Sequence, residues 1–400
     1  MTLIYMAAGE ASGDILGARL IAALRRRRPD LEFAGIGGER MAEQGVRSLF
    51  PMRELSLMGL LEVLPNLRRL ARRMAEAEAD VLARRPALLV TIDAPGFTLR
   101  LAARVKPRGV PVLHYVAPQV WAWRPGRVRR IAEEVDRILA LLPFEPPFFE
   151  AAGIPVRFVG HPVLESGADA GDAARFRAAH GIAEGGRVVV VMPGSRRSEV
   201  RRLLGLFGEA LRLTGQAVPG LRPVVALAGA VEGAVREGCA GWPVPPVMVR
   251  QPSDKYDAFA AAAAGLIKSG TSSLEVAVGG VPHVVGYRVN PVTAAIVRRL
   301  ITVPHASLVN LLAEREVVPE YIQERCTPAL LAEGLTRLLR EPEVAAAQRA
   351  GFAEALGRLR PPEGVPSEAA AAAVLEMIGE ARAEGGQAAP GPVTSEAPSG

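Results

Sequence analysis

Cysteine is nearly missing from the chain: Cys239 and Cys326 are the only two, far apart in sequence and in no CxxC or Cys/His cluster. Neither a disulfide framework nor a zinc site is indicated, and a reducing cytosol fits. Long apolar runs are missing too. The longest, AFAAAAAGLI at 258 to 267, falls short of the about 18 residues a spanning helix needs. The first residues, MTLIYMAAGEASGD, have no basic stretch before the apolar run and lead into a Gly-rich turn, so no export signal is expected. There is no GxGxxG, no Walker Lys-Ser/Thr, no DxD pair near a strand end and no His/Asp/Glu cluster with metal spacing, so neither a metal nor a cofactor is expected. Aromatic residues make up 5% and do not interleave with basic ones, and no helix-turn-helix or zinc-finger spacing occurs. Nucleic acid therefore ranks last among the partners a basic chain could have.

What is present is an ordinary globular composition, 49% hydrophobic and 22% charged, over 400 residues, which is enough for two cores. The formal charge is +6, carried almost wholly by arginine, and points to an anionic surface or a phosphorylated substrate.

Short apolar runs alternate with longer helical patterns: LIYMAA (3 to 8), FAGIG (33 to 37), ALLVTID (87 to 93), VPVLHYVA (110 to 117), RILALLP (137 to 143) and VRFVGHP (156 to 162). After an Ala-, Gly- and Asp-rich junction at 164 to 186, a second series follows: VVVVMP (188 to 193), PVVALAG (223 to 229), PVMVRQ (246 to 251), LIKSG (266 to 270) and HVVGYRV (283 to 289). The alternation predicts an α/β chain of two Rossmann-like βαβ domains in tandem, facing a central cleft at the strands' C-terminal ends. Boundaries are expected at 1–163 and 164–360, with a C-terminal helix over 361–383 returning toward the first domain and a disordered tail over 384–400.

Loops after strand ends are where such a fold places its site. Glu10, Ser12 and Gly13 lie in Gly9-Glu10-Ala11-Ser12-Gly13-Asp14, which reads either as a ligand-facing turn or as a tight turn capped by Ser12. Asp93 ends ALLVTID and is suited to take a proton from an attacking hydroxyl, or to form an Asx turn over Pro95-Gly96. Trp121 and Trp123, followed by Arg124, Arg127, Arg129 and Arg130, suit either sugar stacking beside cations or core packing. In VVVVMPGSRRSEV, Gly194, Ser195 and Arg196 offer donors for an anion at the start of a helix. KSGTSSLEVAVGG offers a second turn in Gly270, Thr271, Ser272 and Ser273, so that the two together suit a diphosphate; Glu275 would then accept from a ribose diol, or else act as a capping-box glutamate. In ELSLMGLLEVLPNLRRLARR, Leu57, Met58, Leu60, Leu61, Val63, Leu64 and Leu67 adjoin Arg68, Arg69, Arg72 and Arg73, the pattern either of a helix gripping an anionic membrane or of one buried on its own sheet. The histidines are scattered and read as structural.

Together these motifs resemble the lipid-A-disaccharide synthase family of inverting GT-B glycosyltransferases. The resemblance rests on AGEASGD, ELSLMG, IDAPGF, HYVAPQVWAWRPGRV, LPFEPPFF, FVGHP, PGSRRSEV, SGTSSLE, YRVNP and SLVNLLAEREVVPE, in family order up to about residue 380. Ala117 stands where the family usually has Ser, and the tail has no family counterpart. The resemblance implies transfer of diacylglucosamine from UDP-2,3-diacylglucosamine to the 6-hydroxyl of 2,3-diacylglucosamine 1-phosphate (lipid X), releasing UDP. It implies Asp93 as general base and Arg196 with the two Gly/Ser turns on the diphosphate, without a metal. Glu275 would hold the ribose and Asn310 would reach the diphosphate or sugar. The first domain would be the acceptor and membrane side and the second the UDP-sugar side, with the leucine patch docked on the cytoplasmic face of an anionic inner membrane and the protein a homodimer. The rivals are a GT-B transferase or 2-epimerase acting on UDP-N-acetylglucosamine, and a non-catalytic lipid or nucleotide binder.

Overall fold

Val188 to Val191 form the middle of a strand and are almost completely buried. A strand apolar on both faces is stable only when helices cover both sides of its sheet, which is the parallel α/β arrangement. The computed structural model describes residues 2–55, 60–122, 125–227, 229–290, 293–294 and 303–387. It divides into two compact units, Met1–Pro162 with Pro361–Gly400, and Val163–Arg360.

The first unit carries β1 (Thr2–Ala8), β2 (Leu31–Ile36), β3 (Leu88–Ile92), β4 (Val112–Tyr115), β5 (Arg137–Ala140) and β6 (Val156–Phe158), all parallel in the order β2-β1-β3-β4-β5-β6. The chain runs outward from β1 to β2, then crosses back to β3, so strand order reverses between β1 and β3. The second unit carries β7 (Arg187–Met192), β8 (Leu221–Ala226), β9 (Val247–Val249), β10 (Ala262–Lys268), β11 (His283–Tyr287) and β12 (Glu320–Ile322), in the order β12-β11-β10-β7-β8-β9. Here the reversal lies between β7 and β10. At such a reversal the flanking helices go to opposite faces and leave a crevice at the strands' carboxyl ends.

Every expected run overlaps one of these strands. β12 escaped the sequence reading because three residues beginning with Glu320 show no alternation and gain their place only by pairing with β11. The final helix, Pro366–Gln387, runs four residues into the expected tail. Its Ala370, Val374 and Ile378 join the core around Leu20 and Leu24 of the helix Ala11–Arg27, and Glu368 pairs with Arg26 and Arg27 at that helix's end. The helix Leu60–Arg84 turns Met74, Ala77 and Val81 onto the other face of the sheet, at a helical spacing of three and four.

Candidate functional site

Each reversal point carries candidate residues. In the first unit, β1 is followed almost at once by the helix Ala11–Arg27, so Ser12, Gly13 and Asp14 stand in its first turn rather than in a loop. A Cβ on Gly13 would lie 3.1 Å from the Ile92 carbonyl oxygen, so glycine lets the helix start sit directly on the end of β3. That approach brings Ser12 to Asp93, and the Ser12 hydroxyl donates to Asp93 Oδ2 at 3.1 Å. Ser12 is thus not the expected cap; Glu10 occupies the N-cap position with no side-chain capping bond. Asp14 is buried and accepts from the amides of Gly38, Arg40 and Met41, capping the short helix Glu39–Glu43.

Asp93 and Ala94 both lie in the left-handed region, at φ 50° and 44°. Such backbone costs about 1–3 kcal/mol per residue and persists only when its surroundings fix it. Here the Asp93 amide donates to the Tyr115 carbonyl at 3.0 Å, and the buried Thr98 hydroxyl donates to the Asp93 carbonyl at 2.5 Å. The Pro95-Gly96 bend is the first turn of the helix Pro95–Val105, not an Asx turn, and the Asp93 carboxylate is left half-buried beside Ser12. A half-buried carboxylate held at a strand end can receive a proton.

Trp121 is an anchor of the loop after β4. Its indole N–H donates to Glu145 Oε1 at 3.1 Å, and its ring meets Phe144 edge-on at 4.9 Å. Glu145, almost wholly buried, also accepts from the amides of Leu141 and Leu142; burial pushes its pKa up to about 7 against those bonds. Glu145 was not expected from the sequence, where it shows only as the residue before Pro146-Pro147 at the start of the helix Pro146–Glu150. Trp123 and Arg124 lie outside the described residues.

In the second unit the turn after β7 places Gly194 at φ 114°, where a Cβ would stand 2.5 Å from Glu199 Oε2. Only glycine lets the Glu199 side chain fold back over the start of the helix Arg197–Ala217. Glu199 Oε2 accepts from the amides of Ser195 and Arg196 at 3.3 and 3.4 Å, and its Oε1 meets Arg196 Nη1 at 3.3 Å and Lys268 Nζ at 3.1 Å. The donors expected to face a diphosphate are therefore turned, in this structure, on a carboxylate of the chain itself. Arg196 keeps most of its length exposed.

The second turn follows β10, the neighbour of β7. Gly270 has φ 152°, Thr271 is exposed and Ser272 half-buried, while Ser273 is buried and donates to the Gly270 carbonyl at 3.0 Å. The helix behind it, Ser272–Val278, has only seven residues, so its dipole adds little. Glu275 does not cap this helix: its Oε1 accepts from Lys255 Nζ at 2.7 Å and Tyr256 Oη at 2.9 Å, both on the helix Pro252–Ala261. Neither partner was anticipated.

Asn310 spends its side chain on the chain around it. It is fully buried, donates through Nδ2 to the Val318 carbonyl and Glu320 Oε1, and accepts through Oδ1 from the amides of Val317 and Val318. Glu320 in turn takes the amides of Ala306 and Ser307, so Asn310 pins the segment before its own helix to β12. A motif residue can look functional while serving the backbone.

Leu57 and Met58, and the side chains of Leu60, Leu61, Val63 and Leu64, lie outside the described residues. Leu67 is 50% exposed and followed by exposed Arg68, Arg69 and Arg72, whereas Arg73 is held by Glu54 and Glu76. Among the described residues no helix is long and apolar enough to cross a membrane. A cavity of about 420 Å³ near Trp242 and Leu221 and one of about 490 Å³ near Arg137 and Met377 adjoin the strands' starting ends, away from both reversal points.

The sequence profile of the family Lipid-A-disaccharide synthetase matches residues 4–371. A lipid-A-disaccharide synthase of Granulibacter bethesdensis is 52% identical over 389 residues, covering 94% of this chain and 99% of that protein. One of Pseudomonas putida is 44% identical over 339 residues, covering 84% and 90%. Among solved structures, S. aureus MnaA with UDP superposes with a TM-score of 0.65 at 13% identity, covering 94% of this chain and 96% of that one. Acinetobacter baumannii MurG does so at 0.54 and 15%, covering 95% and 99%. At those identities the likeness is one of fold, and the fold is GT-B.

Proposed function

Because the chain belongs to the lipid-A-disaccharide synthase family and is a glycosyltransferase, we propose that it joins UDP-2,3-diacylglucosamine to the 6-hydroxyl of 2,3-diacylglucosamine 1-phosphate, releasing UDP. The observation that carries the assignment of roles is Asp93, a half-buried carboxylate held in left-handed backbone at the reversal point of the first sheet by Ser12, Thr98 and Tyr115.

The attacking 6-hydroxyl must lose its proton as its oxygen bonds to the anomeric carbon, and Asp93 takes that proton. Ser12 holds one carboxylate oxygen and leaves the other for the acceptor. The bond from the anomeric carbon to the diphosphate oxygen breaks with inversion, through a state with oxocarbenium character, and the electron pair leaves with UDP. Charge building on that diphosphate is met by Arg196, by the amides of the Gly194-Ser195 turn and by the donors of Gly270, Thr271 and Ser272. Glu275, oriented by Lys255 and Tyr256 through one oxygen, receives the ribose hydroxyls.

Both substrates are acylated, and Leu67 beside Arg68, Arg69 and Arg72 supports docking on the anionic cytoplasmic face of the inner membrane. Assembly as a homodimer is supported by the family resemblance alone.

The test is UDP release in detergent micelles from the acylated pair, with wild type, Asp93→Asn and a UDP-N-acetylglucosamine control. Release that needs both acylated substrates and fails in Asp93→Asn is expected. Turnover of the plain sugar nucleotide instead would move the chain to another GT-B activity, and silence with both would make it a binder.

A further inference from the structure

Lys268 is the last residue of β10, directly before the Gly270 turn, and the preceding residue, Ile267, pairs in register with Met192 at the end of β7. It therefore stands between the two turns at the second unit's reversal point. Its Nζ is 3.1 Å from Glu199 Oε1, with side-chain exposures of 18% and 8%, and 5.4 Å from the Tyr287 ring centroid. The Glu199 carboxylate collects two backbone amides, the Arg196 guanidinium and the Lys268 ammonium. Those are the donor types a phosphate group takes at a helix start.

We propose that Lys268 is a further residue of the UDP diphosphate site and that it exchanges partners there, leaving Glu199 for the diphosphate when UDP binds. The inference rests on the donor-site reading above. One carboxylate is shared by two cations, so the cluster of Arg196, Lys268 and Glu199 keeps a surplus positive charge that a diphosphate complements. A compact ammonium on a flexible stem can swing between neighbouring anions more freely than a guanidinium fork. Glu199 consequently competes with the diphosphate for the same donors. Gly194 makes that competition possible, because any Cβ there would displace the carboxylate.

A purely structural ion pair and an exchanging one differ in sign. If Glu199 competes, Glu199→Gln removes the competing charge and tightens UDP binding about threefold or more, while Lys268→Met weakens it about tenfold, the effect of removing one charge-assisted hydrogen bond. Lys268→Arg, which keeps the charge, restores most of the affinity. The experiment is titration calorimetry of UDP into the full chain, for wild type, Lys268→Met, Lys268→Arg and Glu199→Gln, with thermal melts to confirm that each is folded. Lys268→Gln replaces the methionine variant should the latter not fold. Affinity unchanged in Lys268→Met, or weakened in Glu199→Gln, overturns the exchange and leaves a structural pair. Failure of wild type to bind UDP overturns the donor-site reading itself, an outcome that the wild-type titration reports alone.

Discussion

The two units are built on the same plan and differ in the charge they place at the same point of it. Each has a six-stranded parallel sheet whose order reverses once, and each puts a strand-to-helix turn on either side of the reversal. In the first unit the turns meet through Ser12 and Asp93, a hydroxyl and a carboxylate. In the second they meet through Lys268 and Glu199, with Arg196 alongside. The topology supplies a crevice; the side chains put a carboxylate with a hydroxyl at one and two cations around a carboxylate at the other.

The strongest test of that division is Asp93→Asn. Turnover should fall by about 10²–10⁴-fold, with UDP affinity unchanged; a parallel loss of UDP binding in calorimetry would break the division. Arg196→Ala should lower turnover by about 10²–10³-fold and weaken UDP binding as well, with the melting curve intact. Within the second unit, Asn310→Ala is expected to act through stability. It strands the amides of Val317 and Val318 and should cost about 3 kcal/mol, read by urea denaturation, with near-normal kcat in the folded fraction.

Acid sharpens the comparison further. Burial holds the His283 pKa down at about 4, below its usual 6.5. The unfolded chain takes up that proton first, so this stability is full above pH 6.5 and is lost as pH falls toward 4. In the first unit, burial depresses His161 to about 4 and His114 to about 3, with the same sign. Glu145 opposes them: raised to about 7 from 4.5, it gains stability for the fold as pH falls through that window. Glu145→Gln should therefore steepen the acid loss of the first unit by about 1 kcal/mol per pH unit and leave the second unchanged, which hydrogen exchange at pH 7, 5.5 and 4.5 resolves by unit. The smallest effect is expected for Ser12→Ala, about a tenfold fall in kcat from one missing hydrogen bond.

Much of this was legible in the chain as written. Val188 to Val191 and Leu88 to Ile92 announce buried parallel strands, because only a sheet covered on both faces tolerates such runs. Gly194 and Asp93 stand out as well, since turn residues directly after apolar strands mark the ends where sites form. Less legible was what each polar side chain does. Asn310, in a motif of functional appearance, is spent on Val317, Val318 and Glu320, and Asp14 caps a helix that starts 25 positions later in the chain. Glu145 gave no sign that it would anchor Trp121.

Local periodicity, backbone sterics and composition were enough to fix the strands other than β12, the longer helices, the punctuating glycines and the inventory of charges. Tertiary structure alone decided that Ser12 would meet Asp93 across 81 positions, and that Lys268 would close on Glu199. A hydrogen bond or ion pair forms between whichever donor and acceptor the strand order brings to one edge of a sheet, and that order is set by packing over the whole unit rather than by neighbours in the chain.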